Sequence, residues 1–228
     1  MEELKGAIET VIGEKNVNKD SIFVLTNSEG AIHAVNYQLH AKSNRFKGLV
    51  LTGAPGRAVG ELGRSQIFNQ IKHLPNAEIL MKPYDYAIAD FLANKPMRID
   101  ASLPEGIKML LQSLENPANL PFSRELWMYG LAEFIAKVSE PMLVVIGKKD
   151  IQVDWRIDGK LLENATAKKT DVSFVYPENA NHLLKHEVAA REALTAQYVS
   201  LHYNALDAEL DKETASAIFN WLKKQELK

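Results

Sequence analysis

Apolar positions along the chain recur with two periods. Leu4, Ile8, Val11 and Ile12 fall three or four residues apart, so residues 2–14 are expected to form an amphipathic helix. Residues 21–26 are a short strand-forming run, and Ile32, Val35 and Leu39 then mark a helix from Glu29 to about Lys42. Gly48–Thr52 is a second apolar strand, ended by Gly53-Ala54-Pro55-Gly56. Residues 57–140 change character. Helical patterns dominate there, broken at Pro75, Pro83, Pro96, Pro104, Pro117 and Pro121, and the pattern from Ser123 to Val138 is the clearest. Strands resume at 142–146 and 172–176, with a helix between them around Ile157 to Asn164. Residues 187–201 are expected to be helical, and Asp211 to cap a last helix carrying Ile218, Phe219 and Leu222.

Short apolar strands alternating with helices imply an α/β fold with a parallel sheet, covered on both faces. The expected organisation is a core of residues 1–56 and 141–228, with 57–140 inserted as a helical cap at the carboxyl end of the sheet. In such sheets ligands sit beyond the carboxyl ends of the strands. The first strand runs into Asn27-Ser28-Glu29-Gly30, the third into Gly147-Lys148-Lys149-Asp150, and the fourth into Asn179-Ala180-Asn181-His182. A serine, an aspartate and a histidine thus follow three strands in the order Ser…Asp…His. A serine hydroxyl needs a base beside it, an imidazole can take and return its proton, and a carboxylate holds the ring in the required tautomer. Asp154 is the rival acid, set aside because Asp150 lies nearer the glycine that ends the strand. Ser28 has two readings that the residues leave open: a nucleophile on a sharp strand-to-helix turn, or a serine that caps the helix after it. Gly30 is expected to allow the close packing of helix on strand. His33, His40, His73, His186 and His202 are expected at the surface or in packing.

Composition narrows the alternatives. The 228 residues carry 27 basic and 29 acidic side chains, and no basic stripe with interleaved aromatics points to nucleic acid. With no cysteine there is no disulfide, thiolate metal site or cysteine nucleophile. The N-terminal stretch is acidic and has no long apolar run, so neither a signal peptide nor a membrane partner is expected, and the expected location is cytoplasmic. The triad chemistry calls for no cofactor and no metal.

From Ile22 to Lys224 the chain resembles the bacterial α/β-hydrolases of the serine-esterase and aminopeptidase-like group. T-N-S-E-G-A at 26–31 matches their G-H-S-E-G-G-like elbow, with Thr26 in place of the first glycine and Asn27 in place of the histidine. The segments G-A-P-G-R-A-V-G-E-L, N-P-A-N-L-P-F, P-M-L-V-V-I-G-K-K-D-I-Q-V and E-N-A-N-H-L-L-K complete the similarity. The resemblance implies Ser28 as nucleophile, His182 as base and Asp150 as its orienting acid. It also implies an oxyanion hole using the backbone N–H of Glu29, a cap formed by 57–140, and hydrolysis of a small carboxylic ester through an acyl-serine. Phe91, Phe122, Trp127, Met128 and Tyr129 are candidates to line a pocket or to pack the cap.

Full members have further strands ahead of the elbow, one of which supplies a second oxyanion donor. No candidate for that donor is legible here. The strand at 21–26 is therefore expected to be an edge, to be covered by an upstream piece of a longer protein, by a rearranged N-terminal segment or by a second copy in a homodimer, the last being preferred. The competing functional reading is a catalytically weak or inactive module that binds a partner through that edge.

Overall fold

The computed structural model describes residues 2–120, 122–203 and 205–226. Four strands, β1 (Phe23–Asn27), β2 (Gly48–Thr52), β3 (Met142–Val145) and β4 (Val172–Val175), form one sheet in the order β1-β2-β3-β4 with every neighbouring pair parallel. The registers pair Leu25 with Val50, Val50 with Leu143, and Val144 with Phe174. β2 and β3 are buried at every position, as central parallel strands must be, while β1 and β4 are half-exposed edges.

The chain divides into two compact units, residues 1–57 with 130–228, and residues 58–129. In the first, helices α1 (Glu2–Gly13) and α2 (Glu29–His40) join β1 around Ile8, Tyr37 and Phe46, against which Ile22 and Val24 pack. Trp221 of the last helix, α9 (Lys212–Glu226), packs with Val50, Leu143 and Val145, and Phe23 joins that cluster. Alternation along β1 thus sends Ile22 and Val24 one way and Phe23 the other. Leu25, on the Phe23 side, is left 55% exposed.

The second unit holds α3 (Val59–Ile71), α4 (Ala77–Leu92), α5 (Glu105–Leu114) and α6 (Phe122–Met128), with no strand among its described residues. Its core gathers Met81, Tyr84, Ala87, Phe91 and Leu111, all nearly fully buried. Phe91 is therefore packing, whereas Phe122 and Met128 are exposed. Pro83 does not break α4, contrary to the sequence expectation. It forfeits one backbone hydrogen bond at a cost of about 3 kcal/mol, but Leu80, Met81, Tyr84, Ala87 and Phe91 recur at helical spacing and bury one stripe across it.

Two other expected helices are shorter. The pattern from Ser123 to Val138 is α6 followed by two 3₁₀ turns, Leu131–Glu133 and Ile135–Lys137, because Gly130 between them is extended. The 187–201 stretch is helical only from a 3₁₀ turn at Arg191–Ala193 and in α8 (Ala196–His202). Ahead of these, Glu187 turns its carboxylate back onto the Ala189 N–H and gives its own N–H to Asn179 O. Thr195 caps α8, its Oγ1 accepting from Tyr198 N. The helix expected near Ile157 is a π-helical turn, Trp155–Gly159, running into α7 (Lys160–Ala165).

Candidate active site

Ser28 stands between the last residue of β1 and the first of α2, with φ 55° and ψ −125°. That region costs a non-glycine residue on the order of 1–3 kcal/mol and persists only where surroundings impose it. The imposing contacts are local: Ser28 N donates to Thr52 O at 2.8 Å, and Thr52 Oγ1 donates to Thr26 O at 2.6 Å. A capping serine is extended and accepts an N–H from the helix's first turn. Ser28 does neither. Gly30 lies opposite Thr26; a Cβ on it would stand 3.5 Å from Thr26 Cβ, an ordinary contact. The close packing expected of Gly30 is thus not demanded here.

Asp150 lies in the loop between β3 and Trp155 and is fully buried. Its Oδ1 accepts the N–H groups of Gln152 (2.8 Å) and Val153 (2.9 Å), and its Oδ2 meets His182 Nδ1 at 2.7 Å. Asp154, the rival acid, is committed elsewhere: it accepts from Arg156 N, Nε and Nη2 and from Arg191 Nη2. Burial pushes the Asp154 carboxyl up, but hydrogen bonds from Arg156 and the charges of Arg191 and Arg156 hold it below the usual range.

His182 is 5% exposed. Its ring lies against Gly53, whose φ is +52° and where an added Cβ would stand 3.1 Å from the imidazole. The loops after β3 and β4 are equally tight, since a Cβ on Gly147 would fall 2.0 Å from Ala180 O. Asn27 Nδ2 donates to His182 O (2.9 Å) and to Thr52 Oγ1 (3.1 Å), tying the histidine loop to the residue before Ser28. After His182 the Asn181 carboxamide oxygen accepts from Leu183 N and Lys185 N, holding Leu184 at φ 60°.

The structure therefore joins Asp150 to His182 and ties both Ser28 and His182 to the β2 end, at Thr52 and Gly53. The Ser28 hydroxyl makes no hydrogen bond to His182 among the described residues. Glu29 heads α2, where first-turn N–H groups have no intrahelical partner, and its side chain turns to His33 at 2.9 Å. Among the described residues no cluster of His, Asp or Glu has the spacing to hold a metal, and no helix is long and apolar enough to cross a membrane.

Sequence reasoning missed Asp158. Fully buried, it accepts from Gly56 N, Arg57 N and Nε on Oδ1, and from Arg57 Nη2 and Asp154 N on Oδ2. It ties the loop after β2 to the turn after β3, and only its place four residues beyond Asp154 hinted at it.

No protein-family model and no curated protein sequence matches the chain. Among solved structures, an esterase of Pyrococcus furiosus aligns at 15% identity with a TM-score of 0.52, covering 98% of this chain and 60% of the esterase. The fold is that of the α/β-hydrolases. Another crystal form of that esterase gives a TM-score of 0.51 at 15% identity, covering 97% of this chain and 60% of the esterase. A putative non-heme bromoperoxidase of Mycobacterium tuberculosis aligns at 13% identity and a TM-score of 0.49, with 98% and 72% of the two chains covered. The chain thus spans 60% of the length of the esterase it matches. Within the α/β-hydrolase fold, Ser28, Asp150 and His182 follow β1, β3 and β4, the carboxyl ends of three parallel strands.

Proposed function

We propose that the protein is a serine hydrolase that cleaves carboxylic esters. Ser28 Oγ attacks the ester carbonyl while His182 Nε2 takes its proton. His182 then protonates the departing alkoxide, and an acyl-serine remains. Water attacks the acyl carbon with His182 again as base. As the C–Oγ bond breaks, His182 returns the proton to Ser28 Oγ and the carboxylic acid leaves. Asp150 accepts the Nδ1–H at 2.7 Å, which leaves Nε2 for the serine and stabilises the imidazolium. The Glu29 N–H at the head of α2 is assigned to the oxyanion.

The observation that carries the reading is Ser28's backbone, held at φ 55° with no capping bond, on a turn tied to the loop that carries His182. The missing Ser28–His182 hydrogen bond is compatible with it, because catalytic contacts are often long without substrate. Hydrolysis of a short-chain chromogenic ester is the test. The reading predicts turnover that Ser28→Ala reduces by at least about 10³-fold; equal rates in the two proteins would reject it.

One observation favours a second reading, a weak or inactive module that binds through its sheet edge. β1 is an edge strand, and Leu25 on it is 55% exposed. A second copy pairing there would cover both. Sedimentation across dilution, wild type against Leu25→Lys, tests it. Association lost on substitution, with no turnover, would favour the module over the enzyme.

A further inference from the structure

The loop that carries Asp150 is held from two sides. His182 binds its carboxylate. On the other side lies the segment 187–203, which follows the histidine loop and precedes α9. Its Leu194, Val199 and Tyr203 pack together with Ile151, the residue after Asp150. Lys149 Nζ donates to Ala189 O. Arg191 Nη2 donates to the backbone oxygen of Asp150 at 2.9 Å and to Asp154 Oδ2 at 3.2 Å. Asp150 itself makes otherwise local bonds, to Gly147 O and to the N–H groups of Gln152 and Val153. Among the described residues, Arg191 and His182 thus make its hydrogen bonds from far along the chain.

We propose that Arg191 is a positioning residue, one that fixes the Asp150 carboxylate on His182 Nδ1 by pinning the peptide of Asp150 from behind. The inference rests on the reading of His182 as the base. A carboxylate can hold an imidazole in one tautomer only if its own main chain does not swing, and the Asp150 peptide sits in a turn rather than in the sheet. A guanidinium is well suited to such an anchor, because it is permanently charged and planar, and one Nη2 reaches a carbonyl and a carboxylate together. Asp154 Oδ2 pairs with that guanidinium at 3.2 Å and with Arg156 at 2.9 Å, so the anchor's charge faces a carboxylate held in place from its other side, while among the described residues Arg191 Nε is buried without a hydrogen-bond partner. Displacement of a group remote from the chemistry by about 1 Å can cost 10²-fold in rate, and the Asp150–His182 pair is where such a displacement would be felt.

The test reads the pair directly and the reaction separately. Solvent exchange of the His182 Nδ1 proton is measured by NMR in wild type, Arg191→Met, Arg191→Lys and Asp154→Asn, beside kcat and KM on a chromogenic ester. In Arg191→Met the proton is expected to exchange at least about tenfold faster and kcat to fall about 10- to 100-fold with KM within about twofold. Arg191→Lys should restore part of both, and Asp154→Asn should shift both in the same direction by less. Exchange and kcat at wild-type levels in a folded Arg191→Met, whatever its melting temperature, would overturn the proposal. Should that variant fail to fold, wild-type behaviour in both Arg191→Lys and Asp154→Asn would overturn it equally. If the wild-type protein hydrolyses no ester, proton exchange alone decides, and the positioning role stands or falls apart from the enzymatic reading.

Discussion

Ser28 shows what a residue's backbone can decide that its identity cannot. The residues left both a capping serine and a nucleophile open. A φ of 55° without a capping bond removes the first. The same loop network makes Gly53 a sharp probe. It combines a φ of +52° with a ring contact, so an alanine meets both a left-handed backbone penalty of about 1–2 kcal/mol and the His182 imidazole at 3.1 Å. Gly53→Ala is expected to lower the melting temperature by several degrees and to reduce kcat far more than KM. A melting curve and steady-state kinetics on one preparation check this; unchanged kcat would show that His182 is free to move away. Asp150→Asn should cost about 10⁴-fold in kcat with the fold intact, because an amide favours the wrong imidazole tautomer. Circular dichroism and the same ester assay check both parts.

Among the elements, α9 offers a test of electrostatics. Asp211 caps it, its Oδ1 accepting from Thr214 N and Oγ1 at 2.9 Å, while Oδ2 meets His186 Nδ1 at 3.2 Å. Burial raises the Asp211 carboxyl, but the bonds from Thr214 and His186 and the His186 charge hold it below the usual carboxylate value. A group with a depressed folded pKa stabilises the protein above its unfolded pKa, about 3.9, and that contribution is lost as pH falls through the folded value. Asp211→Ala is thus expected to cost about 1 kcal/mol near neutral pH and progressively less on acidification. Urea melts at several pH values check it; a difference constant down to the lowest pH would contradict it. The cap was legible because Asp211 stands directly before an apolar helical pattern. The helix through Pro83 was not, since a proline reads as a break until the buried stripe of Leu80, Met81, Tyr84, Ala87 and Phe91 is known. The over-long reading of 187–201 failed in the same way: Glu187 and Thr195 bond to nearby backbone N–H groups, a competition that periodicity does not register.

At the scale of the whole molecule, the parallel sheet was the most legible feature, because β2 and β3 are unbroken apolar runs and buried at every position. The residues at the strand ends were legible for the same reason, since chemistry in such sheets is confined to a few loops. What stayed hidden are the long-range ties, Arg57 to Asp158 and Arg191 to Asp150, which join residues 101 and 41 positions apart and follow no period. The helical unit 58–129 has its own core. Phe91→Ala, at a fully buried position, is expected to destabilise it by about 3–5 kcal/mol. Hydrogen exchange should then quicken in 58–129 while β2 and β3 keep their protection; equal loss in both would show that the units unfold as one.

Whether Ser28 is a nucleophile activated by His182 is read most directly by covalent trapping. A fluorophosphonate reacts far faster with a serine whose proton is removed as it attacks than with an unactivated hydroxyl. Intact-protein and peptide mass spectrometry should find one adduct per chain, on Ser28, formed rapidly in the wild type and abolished by Ser28→Ala. His182→Ala should slow it by at least about 10³-fold with the fold retained. An unlabelled wild-type protein, an adduct on another residue, or equal labelling of wild type and His182→Ala would contradict the account.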